Sequence, residues 1–353
     1  MTEPLQAELL AKVSRTFALT IPQLPAPLAD WVGNAYLLCR IADTIEDEPT
    51  LSCEDKTNFI QLFLDVLSGK QPAECLHQQL SPHLSSGTSA AEQASGTSAA
   101  EQELIAQTVS VIAHYQQFPA EVQQILLRGV AIMSHGMTRY QTLASPHGLD
   151  DQTALDHYCY AVAGVVGEML TALFIAYRPS LSAQREELAA LSVSFGLGLQ
   201  LTNILKDVWD DAKRGVCWWP QTLVSEQGII WPPSGNPTLI ASRQELVAIA
   251  HGHLRDALEY TLALPAEEQG LRQFCLWAIG MAVLTLQKIQ HSDAYLNGNN
   301  VKITRKAVRN VILGCRLTGR YDRGLRLLFA WWSRGLACQR RCSRQLYQTV
   351  SCW

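Results

Sequence analysis

Four carboxylates, Asp43, Glu46, Asp47 and Glu48, directly follow an apolar run near the start of the chain and end at Pro49. At 3.6 residues per turn, Asp43 and Asp47 lie on the same face of a helix. Mg²⁺ prefers one or two carboxylates combined with phosphate oxygens, so this pair suits a cation that holds a substrate phosphate. A solvent-exposed acidic helix end is the alternative, because a single acidic cluster is weak evidence.

The same helical face carries a tyrosine and an arginine upstream of the acids. Tyr36, Arg40, Asp43 and Asp47 are spaced by four, three and four residues, so they form one polar stripe. The neighbouring apolar stripe consists of Trp31, Ala35, Leu38, Ala42 and Ile45. A helix with these two stripes buries the apolar one against a core and presents the polar one to a ligand or to solvent.

A second polar stripe lies on a long apolar run that we expect to be helical over residues 182–211. Its members are spaced by four, three, four and four residues, and they are Gly196, Gln200, Asn203, Asp207 and Asp211. Burying an amide and two carboxylates without partners is costly, so this face needs either cations or a water-filled cavity. A half-exposed helix with a polar face is the alternative interpretation.

The two stripes together point to one kind of chemistry. Two Asp-x-x-x-Asp pairs, each at the C-terminal end of an apolar helix, could face each other across a cavity and hold Mg²⁺ between them. Metals placed there would neutralise the charge that develops on a departing diphosphate. The apolar remainder of the cavity would hold a hydrocarbon, so the pattern predicts the ionisation of a prenyl diphosphate.

The rest of the chain must position these stripes, and its periodicity is helical almost throughout. Further helices are predicted near 54–68, 103–140, 158–177, 242–264 and 267–290, and again beyond Val301. Alternating apolar runs bounded by hairpin turns are almost absent. We therefore predict an all-α fold with helices around a central active-site cavity, formed by a single domain of residues 1–313.

Two other segments bound the predicted domain organisation. The sequence Ser86–Gln93 recurs nine residues later as Ser95–Gln102, and its Ser, Gly and Ala content predicts a surface linker over residues 85–102 with no assigned function. The two longest apolar runs contain Glu168 or Gln200 and Asn203, so we interpret them as core helices rather than membrane spans.

Cysteine spacing and the N-terminal sequence suggest a reducing environment. Ten cysteines are scattered without a Cys-x-x-Cys pair, which favours reduced thiols over a zinc site or a disulfide framework. The N-terminal residues lack the basic and apolar regions of a signal peptide. We therefore expect a cytoplasmic location.

The net charge of −4 conceals a strong asymmetry between the two ends of the chain. From Lys302 onward there are 12 basic residues and one acidic residue, so this segment carries +11 and the preceding body carries −15. The acidic body argues against a nucleic-acid partner. Within the basic amphipathic segment 314–353, residues 316–346 suit an interfacial helix on the inner membrane face. A helix packed on the acidic body by charge explains the pattern equally well.

Three segments resemble the signature segments of the squalene and phytoene synthase family. They are Asp43-Thr-Ile-Glu-Asp47, Tyr158-Cys-Tyr-Ala-Val-Ala-Gly-Val-Val-Gly167 and Asp207-Val-Trp-Asp-Asp211. The resemblance runs from Ser14-Arg15-Thr16-Phe17 to about Lys306, in the same order and outside the repeat. It implies the isoprenoid synthase fold and a reaction that joins two prenyl diphosphates head to head through a cyclopropyl diphosphate.

The resemblance also implies roles for individual residues. Mg²⁺ or Mn²⁺ would be held by Asp43, Glu46, Asp47, Asn203, Asp207 and Asp211. The diphosphates would be bound by Ser14, Arg15, Tyr36, Arg40, Gln200, Asn203 and Lys206. Besides the four aspartates, the catalytic groups would be Tyr158 in the first half-reaction, and Phe17 and Phe274 beside a carbocation. NADPH would be bound by Asn300, Lys302 and Arg305, and Gly164 and Gly167 would open room near Tyr158.

Four segments are most similar to the squalene-forming branch of the family. They are Asp156–Tyr160, Trp218–Pro220, Phe274–Cys275 and Asn299–Ile303. We therefore expect two farnesyl diphosphates to be condensed to presqualene diphosphate, which NADPH then reduces to squalene.

Three positions depart from the family pattern, because Lys206, Val216 and Thr304 stand where arginine is usual. Lysine keeps the charge but loses bidentate geometry, and the contacts to the cofactor phosphate are altered. Formation of dehydrosqualene, hydroxysqualene or phytoene is therefore an alternative. A catalytically silent helical assembly factor is an alternative of another class, against which the four intact aspartates argue.

Overall fold

A computed structural model describes residues 3–14, 16–84, 97–224, 237–296, 298–299 and 301–353. These residues form α-helices throughout and contain no β-strand, only an isolated bridge between Leu149 and Pro220. The prediction of an all-α fold is confirmed. The chain divides into two compact units, one of residues 1–142, 172–180 and 353, and one of residues 143–171 and 181–352.

The first unit is built around one long helix that is buried along most of its length. Helices α1 to α8 are, in chain order, Glu3–Val13, Phe17–Thr20, Ala26–Asp47, Cys53–Leu67, Glu74–Leu80, Ala99–Ala106, Thr108–Tyr115 and Ala120–Leu143. Helix α3 packs against α1, α4, α6 and α7. Its predicted apolar stripe faces this core, because Ala35, Leu38, Ala42 and Ile45 are buried and Trp31 is half-buried.

The second unit is built around three long helices that pack on one another. Helices α9 to α18 are Gln152–Cys159, Val165–Tyr177, Arg185–Lys213, Gln221–Val224, Pro237–Ala263, Gln269–His291, Asp293–Leu296, Arg305–Thr318, Asp322–Trp332 and Ser343–Val350. Helix α11 packs on α13 and α14, and α13 packs on α14. The last six residues of α10 are assigned to the first unit.

Several helices differ from the sequence predictions. The predicted helix over 103–140 is three helices, because the chain breaks at Gln107 and again before Ala120. The predicted helix over 158–177 starts earlier and contains a π-helical turn, Tyr160–Gly164, between α9 and α10. Helix α13 starts at Pro237, a residue that suits the first turn because its missing N–H would be unpaired there.

Three glycines bring the π-helical turn and α10 unusually close to α11. A Cβ on Gly196 would lie 2.4 Å from the carbonyl oxygen of Ala163, and one on Gly167 would lie 2.3 Å from that of Ser192. A Cβ on Gly164 would lie 3.1 Å from the side chain of Leu197. The expectation that Gly164 and Gly167 open room is therefore wrong, since the space beside them is filled by α11.

The structure differs from the sequence prediction at the end of the predicted domain and at the end of the predicted linker. The boundary between residues 313 and 314 falls inside α16, and the single domain of residues 1–313 stays a prediction. The predicted linker over 85–102 ends earlier than expected, because α6 begins at Ala99 with Ser98 as its N-cap. Residues 85–96 of the repeat lie outside the described residues.

Two helical stretches are long and apolar enough to cross a membrane by length and composition alone. They are Gln152–Tyr177 and Pro179–Lys213, and 61% and 72% of their most apolar windows are buried inside the protein. Burial of this extent is typical of core helices, as the sequence predicted. All ten cysteines are free thiols.

Candidate active site

The first candidate cluster is the C-terminal part of α3, in the first unit. Asp43 is half-buried, one turn before the exposed Asp47, and Arg40 lies 3.6 Å from a carboxylate oxygen of Asp43. The polar stripe predicted from the sequence therefore has the expected order on one helix. Its aspartates reach solvent while the opposite face of the helix is buried.

Crowding of carboxylates gives this end of α3 an unusual electrostatic character. Burial and the carboxylates of Asp47 and Glu101 raise the pKa of Asp43 to about 7, although Arg40 opposes the shift. Burial, followed by Asp47 and Asp43, raises the pKa of Glu46 to about 8. A nearby divalent cation would favour the ionised forms of both groups. The residues at this end of α3 therefore fit a metal site.

Glu48 has a structural role rather than a role in the site. Its buried side chain accepts hydrogen bonds from the Thr50 amide at 3.1 Å, from the Thr50 hydroxyl at 2.9 Å and from the Thr97 hydroxyl at 2.5 Å. The Thr50 hydroxyl also contacts the carbonyl oxygen of His83 at 2.6 Å. Glu48 thus closes the turn after α3, where the helix ends.

The end of the sequence repeat provides an unpredicted partner for Arg40. Glu101 on α6 forms an ion pair with the Arg40 guanidinium. Glu101 also completes a capping box with Ser98, since each residue's side chain accepts a hydrogen bond from the other's backbone N–H. The guanidinium that the family resemblance assigns to a diphosphate is therefore paired with a carboxylate of the chain itself.

The N-terminal cluster lies against the same helix. The ring of Phe17 packs on that of Tyr36 with centroids 5.2 Å apart, and the Phe17 amide donates to the Ser14 hydroxyl at 3.0 Å. The Tyr36 hydroxyl donates to the carbonyl oxygen of Val13 at 3.2 Å, and burial raises the pKa of Tyr36. Ser14, Phe17 and Tyr36 are thus brought together, whereas Arg15 lies outside the described residues.

The second candidate cluster is the C-terminal part of α11, in the second unit. Lys206 lies 3.1 Å from a carboxylate oxygen of Asp207 and donates to the side-chain oxygen of Asn203 at 3.2 Å. Asp211 is buried and contacts Arg214 at 2.5 Å, and burial raises its pKa. Asp207 thus has one cation on its own helix, Asp211 has one at the C-cap that follows the helix, and both keep further oxygen lone pairs available to a metal.

Tyr158 at the end of α9 is held by an aromatic partner. Its ring stacks on Trp218 with centroids 4.1 Å apart and an interplanar angle of 10°. Trp218 is fixed in turn by its neighbour, because the Trp219 carbonyl accepts from the Leu149 amide at 3.0 Å and the Trp219 side chain is fully buried. The sequence analysis included Trp218 only as part of the segment Trp218–Pro220. The structure adds that it packs against the predicted site residue Tyr158.

The π-helical turn after Tyr158 is tied to the C-terminal residues by a buried carboxylate. Glu168 is 2% exposed and accepts from the Tyr160 hydroxyl at 2.7 Å and from the Ser351 hydroxyl at 2.9 Å. The Cys352 amide donates to the same Tyr160 hydroxyl at 2.8 Å. Apolar periodicity contains no signal for this arrangement, because Glu168 and Ser351 are 183 residues apart.

The residues predicted for the second step and for NADPH are only partly described. Phe274 on α14 is 5% exposed and belongs to the core of the second unit. Lys302 and Arg305 are exposed, and neither forms an ion pair among the described residues. Thr304, which replaces the usual arginine, caps α16 by accepting from the Ala307 amide at 3.1 Å. Asn300 lies outside the described residues.

No group of three or more His, Cys, Asp or Glu side chains within the described residues is placed to bind a metal unaided. Magnesium sites commonly use one or two carboxylates and take their other oxygens from substrate phosphate and water. The two pairs, Asp43 with Asp47 and Asp207 with Asp211, fit that mode of binding.

Comparison with known proteins agrees with the geometry. Squalene synthase of Eremothecium gossypii is 28% identical over 315 residues, which cover 88% of this chain and 67% of that protein. The chain thus spans about two thirds of the length of the curated relatives it matches. The family model described as squalene/phytoene synthase matches residues 10–307.

Solved structures show the same fold at lower sequence identity. TcSQS in complex with a ligand matches with a TM-score of 0.75 at 22% identity, covering 98% of this chain and 96% of that chain. A dehydrosqualene synthase in complex with a ligand gives a TM-score of 0.55 at 18% identity, with 89% and 95% covered. The predicted isoprenoid synthase fold is confirmed. The chain belongs to the squalene/phytoene synthase family.

Proposed function

We propose that the chain condenses two molecules of farnesyl diphosphate to presqualene diphosphate and reduces this intermediate with NADPH to squalene. One observation carries the proposal. Both Asp-x-x-x-Asp pairs lie at the C-terminal ends of buried helices, α3 and α11, within the region that the family model matches. The name that the curated relative carries, squalene synthase, supports this product.

The divalent cation would be Mg²⁺ or Mn²⁺. Asp43, Asp47 and Glu46 would hold it on α3, and Asp207, Asp211 and Asn203 would hold it on α11. A bound cation supplies the positive charge that stabilises a leaving diphosphate. In that state Arg40, which pairs with Glu101, would contact diphosphate oxygens near α3, and Lys206, which pairs with Asp207, would do the same on α11.

Aromatic side chains would handle the hydrocarbon part of the substrate. Tyr158 would act in the first half-reaction with its ring fixed by the stack on Trp218. Phe17 and Phe274 would stabilise positive charge on carbon through their ring faces. Because these rings exclude water, a carbocation beside them would survive until it is reduced.

NADPH supplies the hydride for the second half-reaction. Lys302 and Arg305 fit its phosphate groups, because both are exposed cations without an ion-pair partner among the described residues. Asn300 is proposed from the family resemblance alone. Use of NADPH distinguishes the proposed activity from dehydrosqualene or hydroxysqualene formation.

Product identification tests the proposal. The purified chain is incubated with farnesyl diphosphate and Mg²⁺, with and without NADPH, and the hydrocarbons are identified by gas chromatography and mass spectrometry. We expect squalene only when NADPH is present. Dehydrosqualene or hydroxysqualene in both reactions would contradict the reductive step. Absence of any turnover by a folded protein, with geranylgeranyl diphosphate also tested, would favour the assembly factor.

A matched pair of variants tests the acids on α11. Asp207 and Asp210 are neighbours, their side chains are 42% and 47% exposed, and each contacts one lysine. We expect Asp207→Asn to lower turnover at least about 100-fold, because it weakens the electrostatic stabilisation of the leaving group. Asp210→Asn should retain most activity. Equal losses, or loss of helical circular dichroism together with activity, would mean that Asp207 has a structural role.

A further inference from the structure

The basic C-terminal segment divides into two parts that behave differently. Its last part packs on the body of the second unit by charge: Arg340 contacts Asp256 at 2.7 Å, and Arg341 forms an ion pair with the buried Asp156. Leu346 on α18 is 4% exposed. Of the two interpretations of the tail, packing on acidic residues therefore describes residues beyond 336. Among the described residues, α17 has one such contact with the body, Arg326 with Glu259, and α16 has none.

Helices α16 and α17 form a hairpin that is buried on one side only. Val311 on α16, and Leu325 and Phe329 on α17, are 5% exposed or less. Both helices rest on α14, where a Cβ on Gly280 would lie 2.6 Å from Val311 and 2.9 Å from Trp332. Helix α17 also contacts α13, through Phe329 on His251 and Arg326 on Glu259, so in the part of the chain that the structure describes the free sides of the hairpin are those away from α13 and α14.

Those free sides carry most of the exposed large apolar side chains of the described chain. Seven such side chains are exposed, and five of them lie within this hairpin, namely Leu313, Leu317, Tyr321, Leu327 and Trp331. We call these five residues the hairpin face. Their exposure ranges from 58% to 73%, whereas the other two, Leu19 and Leu143, are 46% and 53% exposed. Such a concentration of exposed apolar area marks an interaction surface.

Exposed cations without an ion-pair partner among the described residues lie on or beside the same hairpin, and one of them, Arg316, also lies over the ring of Trp277 at 5.5 Å from its centroid. Seven exposed basic side chains form no ion pair among the described residues, namely Arg305, Lys306, Arg309, Arg316, Arg320, Arg323 and Arg334. The one acid between residues 305 and 334, Asp322, contacts the buried Arg272 at 2.7 Å. Arg326 is bound to Glu259 at 2.7 Å. The hairpin thus combines exposed leucine, tyrosine and tryptophan with a positive charge that nothing in the described chain neutralises.

We infer that the hairpin face docks on an anionic lipid surface, independently of the proposed reaction. Arginines would contact lipid phosphates while the apolar side chains enter the boundary between headgroups and acyl chains. Tryptophan and tyrosine prefer that depth because one part of each ring system is apolar and the other is polar. A two-fold dimer through this face is disfavoured, since it would set each cluster of cations against its own copy.

Vesicle binding tests the inference with the full chain. Flotation is measured with vesicles of phosphatidylcholine alone and of phosphatidylcholine mixed with phosphatidylglycerol. We expect binding to the mixed vesicles only, and weaker binding at high salt. The double variant Leu327→Ser with Trp331→Ser should bind at least tenfold less, as should Arg320→Gln with Arg323→Gln. Leu143→Ser and Arg344→Gln are the matched controls, because both side chains are exposed outside the hairpin face.

Three results would overturn the inference. The first is that the unmodified chain fails to float with mixed vesicles. The second is that the hairpin variants float as well as the controls do. The third is that the chain is a dimer that the hairpin variants convert to a monomer. Circular dichroism and light scattering on every variant separate these results from misfolding, because the substituted side chains are exposed and the helices should persist. A loss of squalene formation without a change in flotation would concern the proposed reaction alone.

Discussion

Replacing Arg341 by alanine should destabilise the fold far more than replacing Arg344, although both are arginines of the same C-terminal segment. Arg341 pairs with Asp156, whose side chain is 3% exposed, whereas Arg344 pairs at 3.0 Å with Glu186, which is 86% exposed. Removing one partner of a buried ion pair costs about 3 to 5 kcal/mol. An exposed pair contributes less than about 1 kcal/mol.

The lower end of that range applies to Arg341. Its side chain is 33% exposed, and Asp156 keeps a hydrogen bond from the Gln152 side chain at 2.9 Å. An unfolding entropy of about 2.1 cal/mol/K per residue corresponds to about 0.7 kcal/mol per degree for a chain of this length. A loss of about 3 kcal/mol therefore lowers Tm by about 4 °C. Arg344→Ala should lower Tm by about 1 °C or less.

The pH dependence of this effect follows from Asp156. Burial raises the pKa of Asp156, and Arg341 opposes the rise. A carboxyl whose pKa is higher in the folded state contributes stability below its unfolded pKa, and this contribution is lost as the pH rises through the folded pKa. Without Arg341 the folded pKa is higher still, so the Tm difference between Arg341→Ala and the unmodified chain should shrink as the pH is lowered.

Differential scanning fluorimetry of both variants across a pH series provides the measurement. Adding Asp156→Asn to Arg341→Ala should recover part of the lost Tm, because the buried charge is then absent. The reasoning would be refuted if Arg341→Ala and Arg344→Ala shifted Tm equally, or if Asp156→Asn gave no recovery.

Two further substitutions test how Tyr158 is positioned. Trp218→Ala removes the stack on Tyr158, worth about 1 kcal/mol, and should lower kcat roughly fivefold in a steady-state assay. Trp218→Phe should retain most activity. Equal kcat values for Trp218→Ala and the unmodified chain would show that Tyr158 does not depend on the stack with Trp218. Gly196→Ala places a methyl group 2.4 Å from the carbonyl oxygen of Ala163 and should lower the free energy of unfolding in urea by about 1 to 3 kcal/mol. Gly324→Ala should lower it less, because the nearest atom to its Cβ, in Thr318, is 3.4 Å away. Equal midpoints for the two glycine variants would show that α11 does not need this close approach.

The long helices that carry the acids could be predicted because burial leaves a direct trace in residue order. Helices α3 and α11 each combine an apolar stripe with acids near the C-terminal end. Helix α11, Arg185–Lys213, lies close to the predicted 182–211, and α3 ends at Asp47, just before Pro49. The break at Gln107 was missed because the apolar spacing continues across it. The π-helical turn Tyr160–Gly164 was missed because it changes the hydrogen-bond register without requiring a distinctive residue type.

Partners of the site residues were harder to predict than the residues themselves. Glu101 lies 61 residues from Arg40, in a low-complexity repeat that has no periodicity to indicate burial. Glu168 looked like a single polar interruption of an apolar run, yet it joins Tyr160 to Ser351. Both contacts depend on tertiary packing between distant segments, which residue spacing along one helix does not contain.

The repeat next to α6 duplicates the residue types that contact Glu48 and Arg40. In the copy next to α6, Thr97 contacts Glu48, Ser98 caps α6 and Glu101 pairs with Arg40. The other copy of the repeat has the same residue types at positions 88, 89 and 92. His83 and Thr97 are both joined to the turn after α3 by short hydrogen bonds, so the ends of the intervening segment meet. Excising residues 86–94 would leave four residues, Leu84, Ser85, Ser95 and Gly96, between His83 and Thr97, and four extended residues can span about 13 Å. We therefore expect the loss of one copy to leave the contacts with Glu48 and Arg40 in place.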